Sequence, residues 1–174
     1  MTLHSPQTVG PNRNRANAAF TIGLFTILGA LSFQYIGGLY PCELCLTQRW
    51  PYYIGLPLLA VVVFAWERVP EPVRIALTAI VGALFVWGTY VAVYHAGVEY
   101  GVFEGPQTCT GTGDAAVSLD SLGDMSGAQI VPCDAVQFEL FGVSLAGFNA
   151  IISAVIVILL TMSIWGQVSR RRAA

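Results

Sequence analysis

The sequence predicts an all-α membrane protein, a four-transmembrane-helix bundle with a long outer loop between its third and fourth helices. Three observations carry this. Hydrophobic residues make up 55% of the 174 and charged residues only 10%, against roughly 25% charged in a soluble domain. The apolar residues fall into four long runs almost free of charge, and the arginines are gathered on one side of those runs. The same arithmetic excludes other classes. With no lysine, eight arginines and a net charge of −2 there is no basic surface to neutralise a run of phosphates, so nucleic acid is not a partner. Disorder needs fewer apolar residues and more net charge.

The first run lies in the 27 uncharged residues between Arg15 and Glu43. Residues 16–36 form the span, about 31 Å of helix, enough to cross the hydrocarbon core. Arg13, Arg15 and this run have the order of a signal peptide, but the length and the hydrophobic hairpin that follows favour an uncleaved helix. Residues 50–66 make a second span, short and interrupted by Pro51 and Pro57. Residues 75–94 and 145–165 supply the third and fourth. Continuous apolar runs exclude a β-barrel, whose strands alternate. The whole chain, 1–174, reads as one integral membrane domain.

Arginine placement orients the bundle, because short loops rich in Arg stay cytoplasmic. Arg13, Arg15, Arg68, Arg74, Arg170, Arg171 and Arg172 fall on one side, Arg49 alone on the other with eight of the ten acids. Both termini are therefore expected in the cytoplasm, with outer loops at about 37–49 and 95–144. Tyr35, Tyr40, Trp50, Tyr52, Tyr53, Tyr94 and Tyr100 are expected at the outer interface, Trp66 and Trp165 at the inner one, and Trp87 inside the bundle. In the longer loop the three- and four-residue spacing of Ala115, Ala116, Leu119, Leu122 and Met125 fits a short amphipathic surface helix or a packed loop.

All four cysteines, Cys42, Cys45, Cys109 and Cys133, then face the oxidising compartment, where disulfides persist. Proximity pairs Cys42 with Cys45 and Cys109 with Cys133, although three connectivities are formally open. A disulfide across a four-residue loop adds only roughly 2 kcal/mol by loop-closure entropy, so stapling is a poor reason for the first pair. The second closes about 25 residues, roughly 3.5 kcal/mol, and a plain staple is a fair reading there. Cys-x-x-Cys suits thiol exchange, because the second thiol can resolve a mixed disulfide formed by the first. Four thiolates around zinc are a further option, though only one half has the usual spacing. Cys45 lies near a helix start whose dipole favours a thiolate. Arg49, four residues on, shares its face if the helix has begun by then. Arg49 also suits a headgroup contact. His95 is placed either to donate to a bound carbonyl or to touch headgroups, and Asn149 to bond across helices.

Taken together, Pro41-Cys42-Glu43-Leu44-Cys45, the Gln48-Arg49 that follows, Val131-Pro132-Cys133-Asp134 and the run Phe141 to Gly147 resemble the DsbB family of bacterial disulfide bond formation proteins. The likeness extends from about residue 16 to 165. It implies an inner-membrane enzyme that reoxidises a periplasmic DsbA-like thioredoxin-fold dithiol oxidase and passes the electrons to ubiquinone or menaquinone. It further implies that the partner attacks the Cys109–Cys133 disulfide at Cys109, that Cys133 then attacks Cys42, and that the freed Cys45 faces the quinone, which Arg49 and His95 help to hold. Gln48 departs from members with an acid before the arginine, and is expected to change local charge only. A vitamin K epoxide reductase-like oxidoreductase and a protein with purely structural disulfides are the alternatives.

Overall fold

The computed structural model describes residues 10–106 and 132–173. Helix α1 (Pro11–Tyr35) starts on a proline, whose missing N–H costs nothing where a helix start leaves donors unpaired. After it the chain turns at Gly38, held at φ +69°. Helix α2 (Glu43–Thr47) is little more than one turn, capped by Cys42. Gln48 and Arg49 form a break before α3 (Trp50–Phe64), which has Pro51 in its first turn and Pro57 inside. Helix α4 (Glu71–Glu99), the two-residue strands β1 (Glu139–Leu140) and β2 (Val143–Ser144), and α5 (Leu145–Ala173) complete the described fold.

Three helices are long and apolar enough to cross a membrane: α1, α4, and α5 over Leu145–Arg172. Each is longer than the apolar run that foretold it, α1 at its start, α4 at both ends and α5 at its end, because backbone hydrogen bonding continues through the charged residues there. The 15 residues of α3 make about 22 Å of helix, less than the roughly 30 Å hydrocarbon thickness. It ends at Phe64 rather than at residue 66, where Ala65 leaves helical geometry.

The long helices close a ring in which α1 packs on α3 and α5, and α4 packs on α3 and α5. Leu59, Val62, Val81, Phe85, Ile156 and Leu160 are fully buried at its centre, while Phe25, Phe64, Tyr90, Ile158 and Trp165 point outward. An outer surface this apolar is what lipid requires of a bundle. Trp87 belongs to that outer face, being 43% exposed instead of filling the interior. Tyr52 departs in the opposite sense: it leaves the interface for the core, its ring edge-on to Phe85 at 5.0 Å. Close approach between helices depends on glycine. A Cβ at Gly88 would meet Pro51 at 2.8 Å, and one at Gly23 would meet Leu56 at 2.9 Å.

The two ends of the bundle differ in chemistry. At one end Arg15 donates to the Met162 carbonyl at 3.1 Å, and Arg74 donates to Gln167 at 2.7 Å and to the Trp66 carbonyl at 2.8 Å. The start of α1, the start of α4 and the end of α5 therefore meet there, with six of the seven segregated arginines on those segments and Arg68 in the adjoining α3–α4 turn. At the other end, Phe141 and Gly142 both take positive φ, which closes β1 on β2 as a tight hairpin. Tyr100 at the end of α4 binds that hairpin, donating to the Gly142 carbonyl at 3.1 Å and accepting from the Ser144 N–H at 2.9 Å. Gln137 donates to the Tyr40 carbonyl at 2.7 Å, so residues 132–144 fold back over the α1–α2 connection. Cys109 and the expected surface helix at 115–125 lie outside the described residues.

Candidate active site

Cys42 occupies the N-cap of α2 in extended geometry, and its sulfur accepts the backbone N–H of Cys45 at 3.2 Å. One turn brings the Cys45 thiol to 2.8 Å from the same sulfur, and both cysteines are free thiols here. His95 reaches this pair from the last two turns of α4. It is 2% exposed, with Nε2 3.5 Å from Cys42 Sγ and 3.8 Å from Glu99 Oε1. The headgroup contact open to it from sequence is thus replaced by a buried one. Cys133 is 1% exposed and disulfide-bonded, and its backbone lies against the His95 ring. With Cys42 and Val98 it forms one buried cluster, against which Cys45 packs.

A chain of amides fixes the imidazole. Tyr52 donates to Asn149 Oδ1 at 2.6 Å, Asn149 Nδ2 donates to Gln48 Oε1 at 2.6 Å, and Gln48 Nε2 lies 2.5 Å from His95 Nδ1. Because the Gln48 oxygen is already taken by Asn149, its nitrogen donates to Nδ1, which leaves the imidazole proton on Nε2, facing Cys42. Gln48 is therefore more than a local change of charge. It joins α2 to α5 and aims the histidine.

The hydrogen bond from the Cys45 thiol is the main reason the Cys42 thiol is brought down to about 5; His95 and the Cys45 backbone N–H add to it, against the opposing effect of burial. Cys45 is pushed up strongly, first because it shares its proton with Cys42, then by burial and by the nearby charges of Cys42 and Glu99. In the dithiol state the anion sits on Cys42, whereas spacing alone favours Cys45 because it places the helix start one turn too late.

Beside the pair opens a cavity of about 390 Å³, within the range of small-molecule sites. Its wall runs from apolar residues of α1, Phe25, Ile27 and Phe33, to Phe148 and Ile152 of α5, and its polar end holds Cys42, Cys45, Gln48, Arg49, His95, Glu99 and Asn149. Arg49 is buried, and its guanidinium donates to Gln34 of α1. The helix has begun by Cys45, Gln48 and Arg49 keep right-handed helical geometry after it, and Cys45 and Arg49 line the same cavity. Arg49 meets the site through that cavity, and the groups that shift the thiols are each other, His95 and Glu99.

A thiol pair with a lowered and a raised member, beside a buried histidine and a largely apolar cavity, describes thiol chemistry. The family model for disulfide bond formation protein DsbB matches residues 12–163. The chain belongs to the DsbB family. No curated protein and no solved structure matches it. As a DsbB-family chain it is a disulfide-forming membrane oxidoreductase, and the Cys-x-x-Cys pair read from its sequence lies at the centre of the geometry. Cys42, Cys45, Cys133, Arg49 and His95 converge there; Cys109 lies outside the described residues. Sequence reading missed Gln34, Tyr52 and Glu99 and gave Gln48 and Asn149 lesser roles. Gln34 and Asn149 did leave a signal, as amides at the ends of long apolar runs, where an unpaired polar group is costly.

Proposed function

We propose that this chain is a quinone-dependent thiol oxidase of the bacterial inner membrane. It spans the bilayer four times, α3 included, with both termini cytoplasmic and the cysteines periplasmic. It reoxidises a DsbA-like dithiol oxidase. The observation that carries this reading is that Cys42 and Cys45 lie at the polar end of a cavity whose remaining wall is largely apolar, with Cys133 packed against Cys42 in one buried cluster.

The partner's thiolate attacks the Cys109–Cys133 disulfide at Cys109 and releases Cys133. Cys133 packs in the same buried cluster as Cys42, which supports its attack on that sulfur of an oxidised Cys42–Cys45 pair. Cys45 then leaves as a thiolate on the cavity wall, free of the competition for its proton that Cys42 exerts in the dithiol. A DsbA-type carrier is itself a strong oxidant, at about −120 mV, so its electrons need a still stronger acceptor. Quinone, when bound, supplies that two-electron acceptor. The cavity's chemistry fits it: the Arg49 guanidinium, with N–H groups beyond its bond to Gln34, is a donor for a carbonyl oxygen, His95 lies at the same polar end, and the α1 and α5 side chains suit an apolar ring and tail.

The test is turnover of purified protein with quinone and a reduced thioredoxin-fold partner, following quinone absorbance and partner thiols together. Quinone-dependent loss of thiols is expected, with Cys45→Ser abolishing it while the helical circular dichroism stays intact. Undiminished turnover in that variant would remove Cys45 from the quinone step, and thiol oxidation without quinone would refute the coupling.

A further inference from the structure

Glu99 is used by none of these steps. It lies one turn beyond His95 on α4, with its side chain 7% exposed. Its Oε2 is buried and has no hydrogen-bond partner among the described residues, and the Ser144 hydroxyl is a hydrogen-bond donor to the carboxyl. Its Oε1 is 3.8 Å from His95 Nε2, and Cys42 Sγ is 3.5 Å from that same nitrogen. The other ring nitrogen is occupied by Gln48. One N–H therefore faces two acids. Arg49, the arginine on the cavity wall, donates to Gln34, and Cys133 is held in a disulfide and does not titrate. The Cys42 sulfur has the Cys45 thiol and N–H as donors besides the imidazole, whereas Glu99 has the Ser144 hydroxyl and, at Oε2, no partner among the described residues. This buried site therefore holds one anion well on Cys42 and a second on Glu99 only at high cost.

We propose that Glu99 is the proton-holding carboxyl of this site, protonated while Cys42 and Cys45 are a dithiol and ionised once they form a disulfide. This rests on the redox reading of the pair and deepens it. In the dithiol state the Cys42 thiolate takes the His95 N–H, Cys45 keeps its proton and Glu99 stays neutral. Oxidation forms the Cys42–Cys45 bond and removes two electrons. The Cys45 thiol gives up one proton and Glu99 a second by way of His95, which balances reduction of a quinone-class acceptor to quinol. The carboxylate then inherits the His95 N–H. When an incoming dithiol reduces the pair, two electrons return, the S–S bond breaks, and of the two dithiol protons one stays on Cys45 and one on Glu99. The buried site carries one negative charge in both states.

The test needs no quinone turnover. Full-length protein in micelles, stripped of quinone, is reduced with dithiothreitol and its reduced-minus-oxidised infrared difference spectrum recorded. A protonated-carboxyl C=O band is expected to appear on reduction, to shift in D₂O, to be lost in Glu99→Gln and to be displaced in Glu99→Asp. Absence of the band in the parent, its persistence in Glu99→Gln, or an undisplaced band in Glu99→Asp would overturn the assignment. Should Glu99→Gln not fold, the Asp variant decides alone. A missing band in protein that turns over quinone sinks the role of Glu99 only, whereas protein that never reduces quinone sinks the proposed function.

Discussion

Removing the Cys45 thiol should return Cys42 to an ordinary, protonated cysteine. The Cys45 S–H, 2.8 Å from Cys42 Sγ, is the largest influence holding Cys42 at about 5 instead of the usual 9.0. At pH 7 that places the thiolate about a hundredfold in excess where an ordinary thiol would be about a hundredfold in deficit. Relative to an ordinary thiol, the dithiol form then gains about 3 kcal/mol at pH 7, which for a two-electron couple is on the order of 60 mV toward a more oxidising potential. The sign follows from the lowered value. The gain is complete above pH 9, shrinks as pH falls through the interval and is gone below about 5. Ultraviolet titration of the thiolate in a Cys109→Ala/Cys133→Ala background reads the pair alone. One thiolate should titrate with a midpoint near 5, and in Cys45→Ala that midpoint should rise to or above the ordinary range, since burial then acts unopposed by its main counterweight. A parent midpoint in the ordinary thiol range, or one unmoved by Cys45→Ala, would refute the argument that the shared proton sets the site.

Further outcomes follow from the same geometry. Arg49→Ala removes a buried cation of the cavity and its bond to Gln34, and should raise the apparent quinone Michaelis constant by about tenfold or more; steady-state kinetics with an unchanged constant would take Arg49 out of the site. Tyr52→Phe takes the donor from Asn149 Oδ1 and should cost about 1 kcal/mol, read from thermal unfolding in detergent, while loosening the hold on His95. Phe85→Ala empties the fully buried contact with Tyr52 and Gly55 and should cost about 3–5 kcal/mol in the same assay.

Composition and charge order were enough to place this chain in a membrane, to locate the apolar centres of its long helices, whose ends run up to eight residues further, and to bring all the described cysteines to the end opposite the segregated arginines. Those properties are one-dimensional: a span is a count of apolar residues, and an arginine's side follows from which run it flanks. The short local motif was legible for the same reason, since Cys42 and Cys45 meet through a single turn. Tertiary structure alone decided what surrounds that motif. Gln48 binds His95 only because α4 comes alongside the break between α2 and α3, and Asn149 joins them only because α5 packs on α4. Glu99 reads in sequence as one more outer acid. It becomes a buried partner of the thiol site because the β1–β2 hairpin and residues 132–138 fold back over the end of α4, excluding water from a carboxyl that one-dimensional spacing leaves at the surface.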